Sequence, residues 1–161
     1  MNKLKYLWDH LEETIAAVIV LVMAILNFSN VIARFVFDQP FPWADELTLM
    51  LFLWATMMGG ATAFKRGSHF NMGLLSEGGS ATRKIILAVI ILVFNVLFSL
   101  LVFTTGIKMV TNQISFRGII PTLQISQAYQ GMAIPVGAFF MMIRSAEGFF
   151  ATLKKVRADQ I

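Results

Sequence analysis

The chain has 161 residues, 57% of them hydrophobic and 14% charged, with a formal net charge of +4 and no cysteine; its mean hydropathy is +0.73. Ordinary soluble domains run about 45–50% apolar and about 25% charged, so a water-soluble enzyme is excluded, and with no thiol present disulfides, thiolate metal sites and cysteine nucleophiles are excluded too. The basic balance does not point to nucleic acid, because the lysines and arginines stand at the ends of apolar blocks, where they report membrane orientation.

Along residues 2–13, Leu4, Leu7, Trp8 and Leu11 recur at i, i+3, i+4 and i+7, which is one helical stripe among charged neighbours. The pattern predicts an N-terminal interfacial amphipathic helix anchored by Tyr6 and Trp8; a first turn continuing the next helix has the same periodicity. Thr14 to Ala33 follows, 20 residues without a charge, about the length that crosses a 30 Å hydrocarbon core. Lys3 and Lys5 imitate a signal-peptide n-region, yet Asp9, Glu12 and Glu13 intervene and no small-residue cleavage site closes the stretch, so a retained span over 14–36 is expected. Pro40 and Pro42 then interrupt the helix. Phe35, Phe37, Phe41 and Trp43 make the turn an aromatic segment at headgroup depth, and Asp45 and Glu46 fall in the first turn of a second span over 43–64, at the positive end of its dipole.

A connection of about 20 residues with four glycines, carrying His69, leads to a third span over 85–107. The next connection is broken by Gly118 and Pro121 and precedes a fourth span over 122–144 and a tail over 145–161. Ten lysines and arginines lie on the side of the N-terminus, the second connection and the tail; Arg34, Lys108 and Arg117 lie on the other. Both termini are therefore expected in the cytoplasm. The predicted class is all-α: one multi-pass membrane domain of four short-looped spans.

No charged side chain falls near the centre of a span; Arg34, Lys108, Arg117 and Arg144 fall at or beyond the ends, where long side chains reach headgroups. No nucleophile–base pair, metal set or proton-exchanging carboxylate is in view, so no catalytic, substrate-binding, metal or cofactor residue is assigned. What remains is neutral polarity on particular faces. Asn27, Asn30 and Arg34 form a stripe expected to bond a neighbouring helix, with Arg34 pairing to Asp45 or Glu46 across the proline turn. Ala55, Gly59 and Ala63, with Thr56 and Gly60 beside them, have small-xxx-small spacing for close helix approach, within this chain or to a partner. Asn95 and Ser99 share a face in the third span, and Gln124, Gln127, Gln130 and Gly131 cluster before Pro135.

The order and spacing of Asn30…Arg34, Phe41-Pro42-Trp43-Ala44-Asp45-Glu46, the small residues around Gly59, His69 with Met72, then Pro121 and Ile134-Pro135-Val136-Gly137, resemble the small membrane subunit (DctQ/SiaQ-like) of tripartite ATP-independent periplasmic (TRAP) transporters, over essentially the whole chain. The resemblance implies a scaffold subunit of the bacterial inner membrane. It implies a large elevator-type subunit that holds the substrate and sodium sites, a periplasmic binding protein that docks transiently, and lipid as the remaining neighbour. The carried substrate would be an organic acid, either sialic acid or a dicarboxylate-like carboxylate. Asn30, Arg34, Trp43, Asp45, Glu46, Gly59, Gly60 and His69 are the structural or partner-contact candidates. A free-standing homodimeric exporter and a lipid-headgroup enzyme are the alternatives; the first lacks a mid-span carboxylate and the second lacks clustered acids or histidines.

Overall fold

The computed structural model describes the backbone of residues 3–76 and 81–158 and the side chains of residues 10–64, 85–151, 153 and 154. The elements in chain order are α1 (Lys3–Val36), α2 (Pro42–Ser76), α3 (Ala81–Ser115), β1 (Ile119–Ile120), β2 (Ile125–Ser126), α4 (Ala128–Gly131) and α5 (Ala133–Ala158). Among the described residues four stretches are long and apolar enough to cross a membrane: His10–Val36, Pro42–Phe64, Ile85–Ser115 and Ala128–Ala151.

No glycine or proline interrupts Lys3–Val36, so residues 3–13 of the segment expected as an interfacial helix run on into the first span without a break, as the opening turns of α1. The helix ends where the Phe37 and Gln39 N–H groups both donate to the Ala33 carbonyl (3.2 and 3.1 Å) around Asp38 at φ 51°; aspartate is among the residues that tolerate this left-handed conformation. Pro42 opens α2, a position where its missing N–H costs nothing. The second connection is mostly helical: α2 runs to Ser76 and α3 starts at Ala81.

The third connection differs from expectation. α3 closes with paired reverse bonds, Gly118 N–H to Gln113 O (3.0 Å) and Arg117 N–H to Ile114 O (3.1 Å), with Arg117 at φ 49°. The chain then forms an antiparallel hairpin, Ile119 opposite Ser126 and Ile120 opposite Ile125. Its four-residue tip closes through Gln124 N–H to Ile120 O (2.8 Å), Gln124 taking φ 53°. The fourth span therefore does not begin at residue 122. Branched isoleucines suit extended backbone, and helix resumes only at Ala128. Pro135 supplies no N–H for the Gly131 carbonyl, which separates α4 from α5, although Met132 between them keeps helical dihedrals (φ −60°, ψ −22°).

The helices pack in the order α1–α2–α5–α3, with α2 against both α1 and α5 and α3 mainly against α5. The interior belongs to α5: the span that contains it is the most buried of the four, and that of α1 the least. Its contact faces are small. A Cβ on Gly137 would lie 2.5 Å from Met57 Cβ of α2, and one on Gly106 of α3 would lie 3.1 Å from the Pro135 nitrogen. Large apolar side chains, such as Leu21, Ile25 and Phe28 on α1 and Phe94, Leu97 and Leu101 on α3, point outward, as a lipid-facing surface requires. Gly59 meets nothing within 4 Å. Gly137→Val is expected to destabilise the chain by about 1–3 kcal/mol through overpacking, whereas Gly59→Ala is expected to be neutral or to stabilise α2 by up to about 1 kcal/mol; thermal unfolding in detergent distinguishes the two signs.

Candidate functional site

The polar side chains that join one segment to another gather mainly at the two ends of the bundle. At the hairpin end the hub is the first turn of α2. Asn30 of α1, 5% exposed, donates from Nδ2 to Asp45 Oδ1 (3.0 Å) and accepts the Phe41 N–H at its Oδ1 (2.7 Å). One amide thus satisfies a carboxylate and an otherwise orphaned backbone donor, which neither aspartate nor leucine can do. One residue on, Glu46 reaches the hairpin tip: Oε2 accepts the N–H groups of Thr122 (2.9 Å) and Leu123 (3.1 Å), and Oε1 accepts the Thr122 hydroxyl (2.9 Å). Asp45 and Glu46 therefore tie α2 to the α1 turn and to the α3–α4 connection respectively. Phe41 and Trp43 tilt against each other, with ring centroids 5.8 Å apart.

The expected pairing of Arg34 with Asp45 or Glu46 does not form. Arg34 is exposed at the end of α1, and both acids are engaged by neutral donors that carry no guanidinium desolvation cost. Of the polar stripe only Asn30 bonds another helix; Asn27 donates to the Met23 carbonyl of its own helix (2.9 Å). The two adjacent glycines diverge. Gly60 packs against the Met141 side chain, and Gly59 faces outward beside exposed Thr56 and Ala63. The side chains of His69, Tyr6 and Trp8 lie outside the described residues. Trp54 adds a mid-bundle tie, donating from Nε1 to the Tyr129 carbonyl (3.2 Å).

At the opposite end stands a group that the sequence reading missed. Arg144, expected to reach the headgroups, is 1% exposed. Its Nε and Nη2 donate to the two oxygens of Glu12 (2.6 and 2.5 Å), and its Nη1 donates to Glu147 Oε2 (2.5 Å). Glu12 is itself 2% exposed. Two-point guanidinium–carboxylate contact is strong and directional; here it joins α1 to α5, which otherwise barely touch. Glu147 was legible as an i+3 partner, but nothing local marks Glu12, 132 residues away.

A family model described as "Tripartite ATP-independent periplasmic transporters, DctQ component" matches residues 13–155. The chain belongs to this family. The sialic acid TRAP transporter small permease protein SiaQ of Vibrio cholerae is 27% identical over 96% of this chain and 88% of its own length. The C4-dicarboxylate TRAP transporter small permease protein DctQ of the same organism is 30% identical over 58% of this chain and 40% of its own length. That of Rhodobacter capsulatus is 26% identical over 63% and 45%. The chain is thus a TRAP transporter small permease subunit, an inner-membrane protein and not an enzyme. Such subunits work with a large membrane subunit and a periplasmic binding protein.

Two outcomes follow for the small permease subunit. Glu46→Ala is expected to speed amide exchange at Thr122 and Leu123 by roughly tenfold or more, the weight of one charge-assisted hydrogen bond, while Arg34→Ala leaves both amides unchanged in the same hydrogen-exchange measurement. Glu12→Leu strands Arg144 and is expected to cost about 3–5 kcal/mol, and Glu12→Leu with Arg144→Leu to recover much of that loss, read as a double-mutant cycle of detergent-solubilised unfolding.

Proposed function

We propose that this chain is a stationary scaffold in a sodium-coupled, binding-protein-dependent importer of an organic acid, packing against the large membrane subunit and holding it at fixed depth. The observation that carries this reading is where the polar groups go. Among the described residues the buried charges are Glu12 and Arg144, and they bond to each other. Asn30 and Glu46 likewise close contacts between the chain's own segments. No buried carboxylate among the described residues is left facing a transportable ion, so coupling chemistry falls to a partner.

The exposed face of α2 is the proposed contact with that partner. Asp45, Leu49, Phe52, Thr56, Gly59 and Ala63 recur at alternating spacings of four and three and are all exposed, the register of a seam against one further helix. Arg34 and Trp43 extend this surface at the hairpin end, where the binding protein would dock transiently if both termini are cytoplasmic. Asn30, Glu46 and Gly60 act from inside the chain, and His69 remains a partner-contact candidate. An acidic sugar such as sialic acid is the favoured cargo, because the sialic-acid relative aligns along nearly the whole chain and the dicarboxylate relatives along a part of it. A homodimeric exporter would instead need an ion-exchanging group of its own.

Deleting this subunit from cells that retain the large one is expected to abolish uptake of labelled sialic acid. Gly59→Leu is expected to release the large subunit in a pull-down while helicity is kept. Undiminished uptake after the deletion would overturn the scaffold reading.

A further inference from the structure

Beside the hairpin, an open cleft of about 490 Å³ lies along the last turns of α3, lined among others by Thr105, Lys108, Asn112, Gln113, Phe116 and Gln127. Its polar side chains are one ammonium, three amides and the Thr105 hydroxyl, whose proton already goes to the Leu101 carbonyl (2.8 Å), and no carboxylate lines it. The Gln113 amide lines the cleft, with its Oε1 buried and without a hydrogen-bond partner against Gly131. The negative end of α3 is muted as well, because the Gln113 and Ile114 carbonyls accept the Gly118 and Arg117 N–H groups. With one cation, no acid and amides able to donate, the cleft is positive and suits an anion.

Lys108 gives the site its depth. It lies inside the 31-residue stretch Ile85–Ser115, seven residues before its end, and so about 10 Å below the helix terminus at 1.5 Å per residue. Among the described residues no acid lies within ion-pair distance of it. An ammonium at that level can reach the phosphate layer by extending its stem, and an unpaired one beside hydrocarbon is costly. Below it the face of α3 is apolar and open, with Phe94, Leu97 and Leu101 exposed; above it Phe116 is 84% exposed. Charge at the phosphate level over an uncovered apolar wall matches an anionic amphiphile better than a small free ion.

We propose that this cleft binds the phosphate headgroup of an anionic phospholipid, held by Lys108 with the Asn112, Gln113 and Gln127 amides, while its acyl chains lie along α3. The inference is independent of the scaffold reading, since it concerns what the chain holds and not what it carries.

The test uses the full chain, purified with its associated subunits in mild detergent and supplied with phosphatidylglycerol or phosphatidylcholine, with retained lipid read by native mass spectrometry. One phosphatidylglycerol per chain is expected, and Lys108→Gln is expected to lower its retention roughly fivefold, the weight of one charge at the headgroup layer. Lys108→Arg should keep the lipid, and Arg34→Gln, which removes a cation from the same end but not from the cleft, should leave retention unchanged. Circular dichroism of each variant checks that the helices persist. Equal retention of both lipids, or no effect of Lys108→Gln in a folded variant, overturns the proposal. Displacement of the lipid by millimolar inorganic phosphate would make the cleft a free-anion site and would overturn the lipid assignment.

Discussion

Lipid tails are as apolar as leucine, so burying leucine between two helices within the bilayer gains little over leaving it in lipid. That constraint governs this chain. With a mean hydropathy of +0.73 it has ample apolar surface and almost no use for it as glue, and its large aliphatic side chains are left outside. Cohesion must come from close backbone approach and from polar contacts that lipid cannot replace. Both are present and they divide the length of the bundle between them. Gly106 and Gly137 bring α5 against α3 and α2, Gly131 brings α4 against the last turns of α3, and hydrogen-bonded clamps sit at each end.

The two clamps differ in kind. At the hairpin end, neutral donors meet carboxylates in the first turn of α2, where the helix dipole already favours negative charge. Each contact there joins a different connection to the same turn, so one helix start organises three segments. At the other end a desolvated ion pair does the joining. A buried pair contributes little net stability compared with an apolar replacement, but its two-point geometry is unforgiving of displacement. Since α1 packs mainly along α2, the Glu12–Arg144 contact is its principal tie to α5 among the described residues. Clamping at both ends leaves little freedom for the helices to slide, as the proposed scaffold role requires.

The broad plan was legible because membrane helices announce themselves by charge-free length, and the four blocks did so. Asn30 and the acidic start of α2 were legible as well, for polar residues at the end of an apolar run need partners. Which partners they take was not. Arg34 had the opposite charge to Asp45, but the shorter Asn30 lies buried opposite it and also satisfies the Phe41 N–H, a backbone requirement invisible in a list of charges. The hairpin escaped notice because Ile119, Ile120 and Ile125 are as apolar as span residues; only their branching and the nearby Gly118 and Pro121 hinted at extended backbone. Arg144 was misplaced for a deeper reason. A cation near the end of a span is satisfied equally by headgroups or by a distant acid, and the sequence contains no local term that separates the two.

Lys108 and Arg144 show how that ambiguity resolves in three dimensions. Both are long cations toward one end of an apolar helix. Arg144 lies on α5, the interior helix, where the surrounding helices exclude headgroups and a carboxylate from α1 must enter with it. Lys108 lies on α3, an outer helix touched mainly by α5, and a cleft lined with amides opens beside it. An interior cation is obliged to find its counter-charge within the protein, whereas an outer one can draw it from the membrane. The position of a helix in the packing order, more than the residue type, therefore decides whether a span-end cation becomes a structural tie or a contact with lipid.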